Sequence, residues 1–294
     1  MTYDPQIIAM PGKKILLDEY KTNYTGEFSS KNQAKQKLKE DIKKLKALQD
    51  KLYAHNKFAL LLIFQAMDAA GKDGTIKHVM SGVNPQGCQI YSFKKPSDEE
   101  LDHDYMWRTY KHLPERGRIG IFNRSYYEEV LIVKVHPEII LKQQLPGINR
   151  PAKINQYFWD KRYRQINDLE RHLLENGTVI LKFFLHISRE EQKKRFLARI
   201  NNPDKNWKFT LNDIEERKYW DKYQKAFEDA INHTSTDYAP WYIIPADKKW
   251  YMRTVVGDII VHTLDSLPLQ YPVLAEANKK DLEKAKELLM NETN

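Results

Sequence analysis

Between Phe58 and Lys77 the chain reads FALLLIFQAMDAAGKDGTIK. Six of the seven residues from Phe58 to Phe64 are large and apolar, Ala59 being the exception. A run of that length suits one fully buried strand and is too short to cross a membrane. Small residues, a glycine and a lysine follow at once, and then a segment able to start a helix. A strand, a tight turn and a helix N-terminus together make a cradle for phosphate. Unpaired backbone N–H groups and the helix dipole point at the anion, and a lysine adds a full charge. The usual spacing, G-x-x-x-x-G-K-[ST], is met only in part. Gly71 and Lys72 are in place, but Ala66 stands at the first glycine position and Asp73 at the Ser/Thr position. Met67, Asp68, Ala69 and Ala70 lie between. A carboxylate inside an anion cradle is costly unless it has a cation to hold, so Asp68 points to Mg²⁺ or to a partner with charge to share.

The 294 residues are enough for one large α/β domain with additions or for two small ones. Lysine and arginine exceed aspartate and glutamate by 8, and the pI is about 9.1. This balance favours anionic partners such as phosphate polymers, nucleotides, nucleic acid or acidic lipid heads, without choosing among them. MTYDPQIIAM lacks the layout of a secretory signal. Cys88 has no second cysteine to pair with, so a reducing cytoplasm is expected, and Cys88 reads as a small buried strand residue.

Residues 31–54 carry Ala34, Leu38, Ile42, Leu45, Leu48 and Leu52 at helical spacing, an amphipathic helix. Helices are expected at 75–83, 97–112, 151–176, after Ser188, at 212–233 and at 248–267, with strands at 58–65, 89–93, 118–123, 178–188 and 241–246. Ser97 and Ser188 each precede a glutamate at the reciprocal capping position. Alternating strands and helices predict right-handed crossovers and a parallel sheet covered on both faces. Ligands of such sheets sit beyond the carboxyl ends of the strands. That brings Asp68 and Lys72, then Asn123, Arg124 and Ser125, then Ala246, Asp247 and Lys248 to one crevice.

At the third strand's end, in IGIFNRSYYEEV, Asn123 offers a neutral oxygen where phosphate-binding α/β proteins often use aspartate for Mg²⁺. Arg124 offers a planar fork, and Glu128 could supply the missing carboxylate. The plainer reading, an ordinary i,i+4 pair on a helix, is about as strong. In residues 190–210 the cations Lys193, Lys194, Arg195, Arg199, Lys205 and Lys208 interleave with Trp207 and Phe209. At the active edge of a sheet such a helix–loop–helix reads as a mobile lid, the alternative being a solvated basic face.

MDAAGKDGTIKHVMSGVNPQGCQIYSF, GIFNRSYYEEVL, NPDKNWKFTLNDIEERKYWDKYQKAFEDAI and TSTDYAPWYIIPADKKWY, in this order, resemble the family 2 polyphosphate kinases from about Gln49 to about Leu267. The resemblance implies an α/β P-loop kinase fold similar to thymidylate kinase: three layers, a five-stranded parallel sheet and a helical lid. It implies a kinase domain over 56–270 with the lid at about 190–232, an N-terminal extension over 1–55 packed on it, and a helical tail over 271–294. The implied reaction is the reversible, Mg²⁺-dependent transfer of the terminal phosphoryl group of inorganic polyphosphate to AMP, ADP, GMP or GDP, giving products up to ATP, with Mn²⁺ as an alternative ion. NRSYYEEVLIVKVHPE is similar to the class III branch, whose members accept mono- and diphosphates. By the resemblance, Asp68 holds Mg²⁺ and helps the attacking nucleotide oxygen, and Lys72 contacts phosphate. Ala69, Ala70, Gly71, Asp73, Gly74 and Thr75 complete the cradle, and Arg124 contacts phosphate. Asn123 falls where many members carry aspartate, with Glu128 as substitute carboxylate, so the metal set is Asp68, Asn123 and Glu128. Arg195, Arg199, Lys205 and Lys208 match the basic lid. A homodimer or homotetramer is implied, with no nucleic acid or membrane required.

Two rivals remain at this stage: an ATP-dependent nucleotide kinase of the same fold, and a polyanion or nucleic-acid binder without catalysis. The nine histidines show no metal-ligand spacing. Trp159, Tyr163, Tyr219, Trp220 and Tyr223 read as core or subunit-contact residues.

Overall fold

A computed structural model describes residues 4–292. The outermost parts of the expected extension and tail, residues 1–3 and 293–294, lie outside the described residues. The strands are β1 (Ile8–Ala9), β2 (Ala59–Gln65), β3 (Cys88–Ser92), β4 (Ile119–Asn123), β5 (Thr178–His186) and β6 (Trp241–Pro245). They form one sheet in the order β1-β6-β5-β2-β4-β3. All neighbours run parallel except β1, which pairs antiparallel with β6 through Ile8 and Tyr242. The sheet thus has six strands where five were expected. The extra edge strand has two residues, too few to show a period-two pattern in sequence.

The apolar run takes the centre. All seven residues of β2 are buried, with β4 on one side and β5 on the other. Both neighbours shield the strand's edges while helices cover its faces, which is why its composition does not alternate. The longer helices are α1 (Lys31–His55), α2 (Lys72–Val79), α3 (Gln156–Glu175), α4 (Arg189–Ile200), α5 (Leu211–Arg217), α6 (Trp220–Thr234), α7 (Lys249–Ser266) and α8 (Glu276–Met290). Helices α1, α2 and α7 pack together on one side, while α3 and α6 pack on the other. Ser30, Asn155 and Ser188 cap α1, α3 and α4 with their side-chain oxygens. The α3–β5 turn passes through Gly177, φ +90°, where a Cβ would stand 2.8 Å from the Lys57 carbonyl oxygen.

Several expected boundaries move. The helix expected at 75–83 begins at Lys72 and ends at Val79. The one expected at 97–112 is two short turns, Asp98–Asp102 and Trp107–Tyr110, because Asp104 accepts from the Met106 N–H and starts a new turn. The one expected at 212–233 breaks between α5 and α6, where Lys218 and Tyr219 make tight i→i−3 bonds to Glu215 and Glu216. Cys88 is half-buried rather than buried, and burial raises its thiol to about 11. Trp159, Tyr163, Trp220 and Tyr223 are core residues, while Tyr219 is half-exposed.

The crossover after β2 runs toward β3, and the one after β5 runs toward β6. These adjacent strands therefore send their connections opposite ways, which opens a crevice beyond their carboxyl ends. The N-terminal stretch straps past that end. Leu17 N–H donates to Glu228 of α6, and Thr22 Oγ1 donates to Asp247.

Candidate active site

The loop after β2 is held from behind. Gly71 and Ala69 both have positive φ, +109° and +59°. Gly71 adopts this at little cost, whereas Ala69 does so under strain of about 1–2 kcal/mol. Arg195 of α4 is buried, and its five N–H groups are all engaged. Nη1 donates to the Ala69 and Ala70 carbonyls at 3.2 and 2.6 Å, and Nη2 to those of Ala246 and Asp247 at 2.6 and 3.1 Å. Nε donates to Glu191 at 2.9 Å. Arg195 was expected among the polymer-facing cations; its donors instead clip the loop to the end of β6. Gln192 Nε2 adds a bond to the Asp68 carbonyl at 2.9 Å.

With its back fixed, the loop turns Lys72 and Asp68 forward. Lys72 Nζ folds over the loop to the Ala66 carbonyl at 3.0 Å. Burial, then the neighbouring Arg124, pull its affinity for a proton below the ordinary lysine value. Thr75 is fully buried with its hydroxyl on the Gly71 carbonyl, and Ala70 is buried as well. Neither side chain faces the crevice, contrary to expectation for a phosphate-contacting Thr75. The physical reason is that α2 starts at Lys72, which puts its fourth residue on the buried side of the helix with Ile76 and Val79.

At the end of β4, Arg124 has φ +65°, unusual for a residue with a Cβ. Its N–H donates to the Phe64 carbonyl across the strand ends. The guanidinium reaches Asp68 at 3.1 Å and Glu128 at 3.9 Å. Burial works against its charge, but Glu128 and Asp68 outweigh that and hold it protonated. Burial raises the Glu128 carboxyl, with Arg124 and Lys72 opposing. Residues Tyr126–Val130 form a 3₁₀ turn, so Arg124 and Glu128 are not a pair on an α-helix. Asn123 donates its amide to Asp73 Oδ1 at 2.8 Å and is engaged there rather than at Asp68.

Arg124 stands where two spaces meet. The larger, about 1020 Å³, is lined by Asp68, Ala69, Gly71, Lys72, Asp73, Gly74, Arg124, Arg195, Arg199, Lys205 and Lys208. Lys94, Lys249 and Arg253 line it too, and sequence reading passed over them. Burial and the charges of Arg195 and Arg253 depress Lys249, a sign of how closely the cations crowd here. The Lys94-Lys95 pair after β3 and the lysines after β6 were the available signal, since both follow strand carboxyl ends. The second space, about 320 Å³, lies across Arg124 and Glu128 and is lined by Tyr105, Arg108, Ile132, Ile139, His136 and Glu100 among others. Asp68, Arg124, Glu128, Gln192, Arg217 and Tyr223 surround a small gap at the junction.

Among the described residues no group of three or more His, Cys, Asp or Glu is arranged as a metal site. Mg²⁺ ordinarily takes one or two carboxylates and completes its shell with phosphate oxygens and water. Asp68, partly exposed on the crevice, fits that mode as a single carboxylate, while Glu128 stands on the far side of Arg124.

An open, mostly parallel sheet, an anion cradle after its central strand and a cation-lined crevice are the parts of a P-loop kinase-type fold. The family model for polyphosphate kinase 2 matches residues 28–271. An ADP-polyphosphate phosphotransferase of Rhodopseudomonas palustris is 52% identical, over 95% of this chain and 96% of that protein. An AMP/ADP-polyphosphate phosphotransferase of Meiothermus ruber is 48% identical, over 81% of this chain and 84% of its own. The crystal structure of polyphosphate kinase 2 from Arthrobacter aurescens TC1 superposes with a TM-score of 0.82 at 40% identity, covering 93% of this chain and 94% of that one. The chain belongs to the polyphosphate kinase 2 family.

Proposed function

We propose that this enzyme moves the terminal phosphoryl group of inorganic polyphosphate to nucleoside mono- and diphosphates, with Mg²⁺ as the ion. The observation that carries the reading is the position of Arg124 between a crevice crowded with cations and a smaller cavity with apolar walls. The polymer lies in the crevice along Arg199, Lys205, Lys208, Lys249 and Arg253. Its binding would release counterions as nucleic-acid backbones do, so affinity falls with salt. The nucleotide lies in the smaller cavity, whose size suits a small molecule. A terminal phosphate oxygen of the acceptor attacks the end phosphorus of the polymer. The bridging P–O bond breaks, and the shortened polymer leaves with the electron pair.

Little covalent work falls to the protein in such a transfer, which depends on position and charge. Lys72 and the N–H groups opening α2 hold the donor's phosphates. The Arg124 fork spans the oxygens of the group in flight. Asp68, with Glu128 as a second carboxylate, would hold Mg²⁺, which would neutralise charge developing between donor and acceptor, while Asn123 stays on Asp73. The basic segment around Lys205 and Lys208 closes over the polymer and excludes water. A relative named for both AMP and ADP supports acceptance of both phosphorylation states.

The test supplies AMP, ADP, GMP or GDP with long-chain polyphosphate and Mg²⁺, in the absence of ATP. Formation of ADP and ATP, or of GDP and GTP, is expected, and it should cease on chelation. No product from any acceptor would overturn the reading in favour of an ATP-dependent kinase or a binding protein. Asp68→Asn should lose at least ~100-fold in kcat with the fold intact, the scale expected when charge placement at the reacting group is lost.

A further inference from the structure

Lys182 lies in the middle of β5, paired in register with Ile63 and Trp241, and is fully buried. An ammonium there needs every proton bonded. Nζ donates to Glu170 of α3 at 2.6 Å, to the Thr234 carbonyl at 2.6 Å and to the Tyr127 hydroxyl at 3.1 Å. Glu170, equally buried, accepts through its other oxygen from the Tyr126 and Tyr127 hydroxyls at 3.0 and 2.8 Å. Burial and the adjacent Glu170 keep both phenols well above their usual range, so they remain donors. These two tyrosines stand between Arg124 and Glu128 in sequence. Arg124 is in the left-handed region, a conformation that persists only where the surroundings over-determine it.

We propose that the buried Lys182–Glu170 pair, acting through the Tyr126 and Tyr127 hydroxyls, positions Arg124 and Glu128 for phosphoryl transfer. Stability is a poor explanation for the pair, since buried ion pairs replaced whole by apolar residues often leave a protein as stable or more so. What the four polar groups do provide is a fixed point in the core, linking β5, α3 and α6 to the 3₁₀ turn. Lys182 and Glu170 are positioning residues and touch no substrate. The proposal rests on the reading that Arg124 works at the transferred group.

The experiment compares Tyr127→Phe, the fourfold variant Lys182→Met, Glu170→Leu, Tyr126→Phe, Tyr127→Phe, and Arg124→Ala, using ADP and polyphosphate. Thermal unfolding gives the folded fraction, and kcat and KM are taken per folded molecule. Tyr127→Phe and the fourfold variant should lose about tenfold in kcat with KM for polyphosphate within twofold, because the loss falls on the transition state. The fourfold variant should melt no more than a few degrees below the parent, the remaining cost being the Thr234 carbonyl that loses its donor. Parent-like kcat in folded Tyr127→Phe or in the folded fourfold variant overturns the proposal and leaves the network a purely structural one. Parent-like rates in Arg124→Ala instead overturn the underlying reading of Arg124.

Discussion

Arg124 combines a strained backbone with a guanidinium set between two carboxylates. A lysine there would keep the charge but lose the fork, and with it simultaneous reach to Asp68 and to the oxygens of a phosphoryl group. Arg124→Lys should therefore lower kcat by about 10–100-fold while the melting temperature stays within a few degrees. Steady-state kinetics beside thermal unfolding measures both. Asp73 belongs to the same scale. Its bond from Asn123 ties the ends of β4 and α2 together, so an acid where a hydroxyl is usual serves as a tie between elements.

At the scale of the element, α4 and the loop beyond it serve different ends. The inner face of α4 carries Gln192 and Arg195, which hold the cradle from behind. Beyond its end, Lys205 and Lys208 are exposed on the crevice. All lie in one basic segment of sequence, yet their substitution should have opposite signatures. Arg195→Lys leaves buried carbonyls without donors and should cost about 2–5 kcal/mol in urea unfolding. Lys205→Ala and Lys208→Ala should leave stability nearly unchanged, raise KM for polyphosphate and flatten its dependence on salt. Equal stability for Arg195→Lys and the parent would show that the clip is dispensable.

For the whole molecule, the strap and the sheet meet at His186. This residue is buried at the end of β5, and burial lowers its pKa from 6.5 to about 4, against the pull of Asp247 and Asp18. The unfolded chain therefore binds a proton between pH 6.5 and 4 that the folded chain refuses. The stabilisation is complete above 6.5 and is lost as pH falls toward 4, by ~3 kcal/mol at most. Glu129 acts the other way over part of this window, because burial raises its carboxyl to about 7 despite Arg162. Comparison with a variant is thus required to isolate the histidine. In urea unfolding, the change in stability from pH 6.5 to 4.5 should be less unfavourable in His186→Asn than in the parent. Equal changes in the two proteins would remove His186 as a contributor.

The apolar run of β2, the caps at Ser97 and Ser188 and the Gly71-Lys72 turn were legible in sequence because each is local. Burial on both faces, a reachable N–H and a positive φ are set by neighbours within a few positions. The carboxyl-end rule then brings Asp68, Lys72 and Arg124 together from the sequence. Other assignments depended on partners far along the chain. Whether a cation of 190–210 faces an anion or four carbonyls is decided by what lies opposite it, and for Arg195 that is a loop 125 residues away and another 51 away. The two-residue β1, the break between α5 and α6, the burial of Thr75 and the convergence of Lys94, Lys249 and Arg253 belong to that class. A side chain's type follows from sequence, but its electrostatic role follows from which groups the tertiary fold leaves beside it without water between.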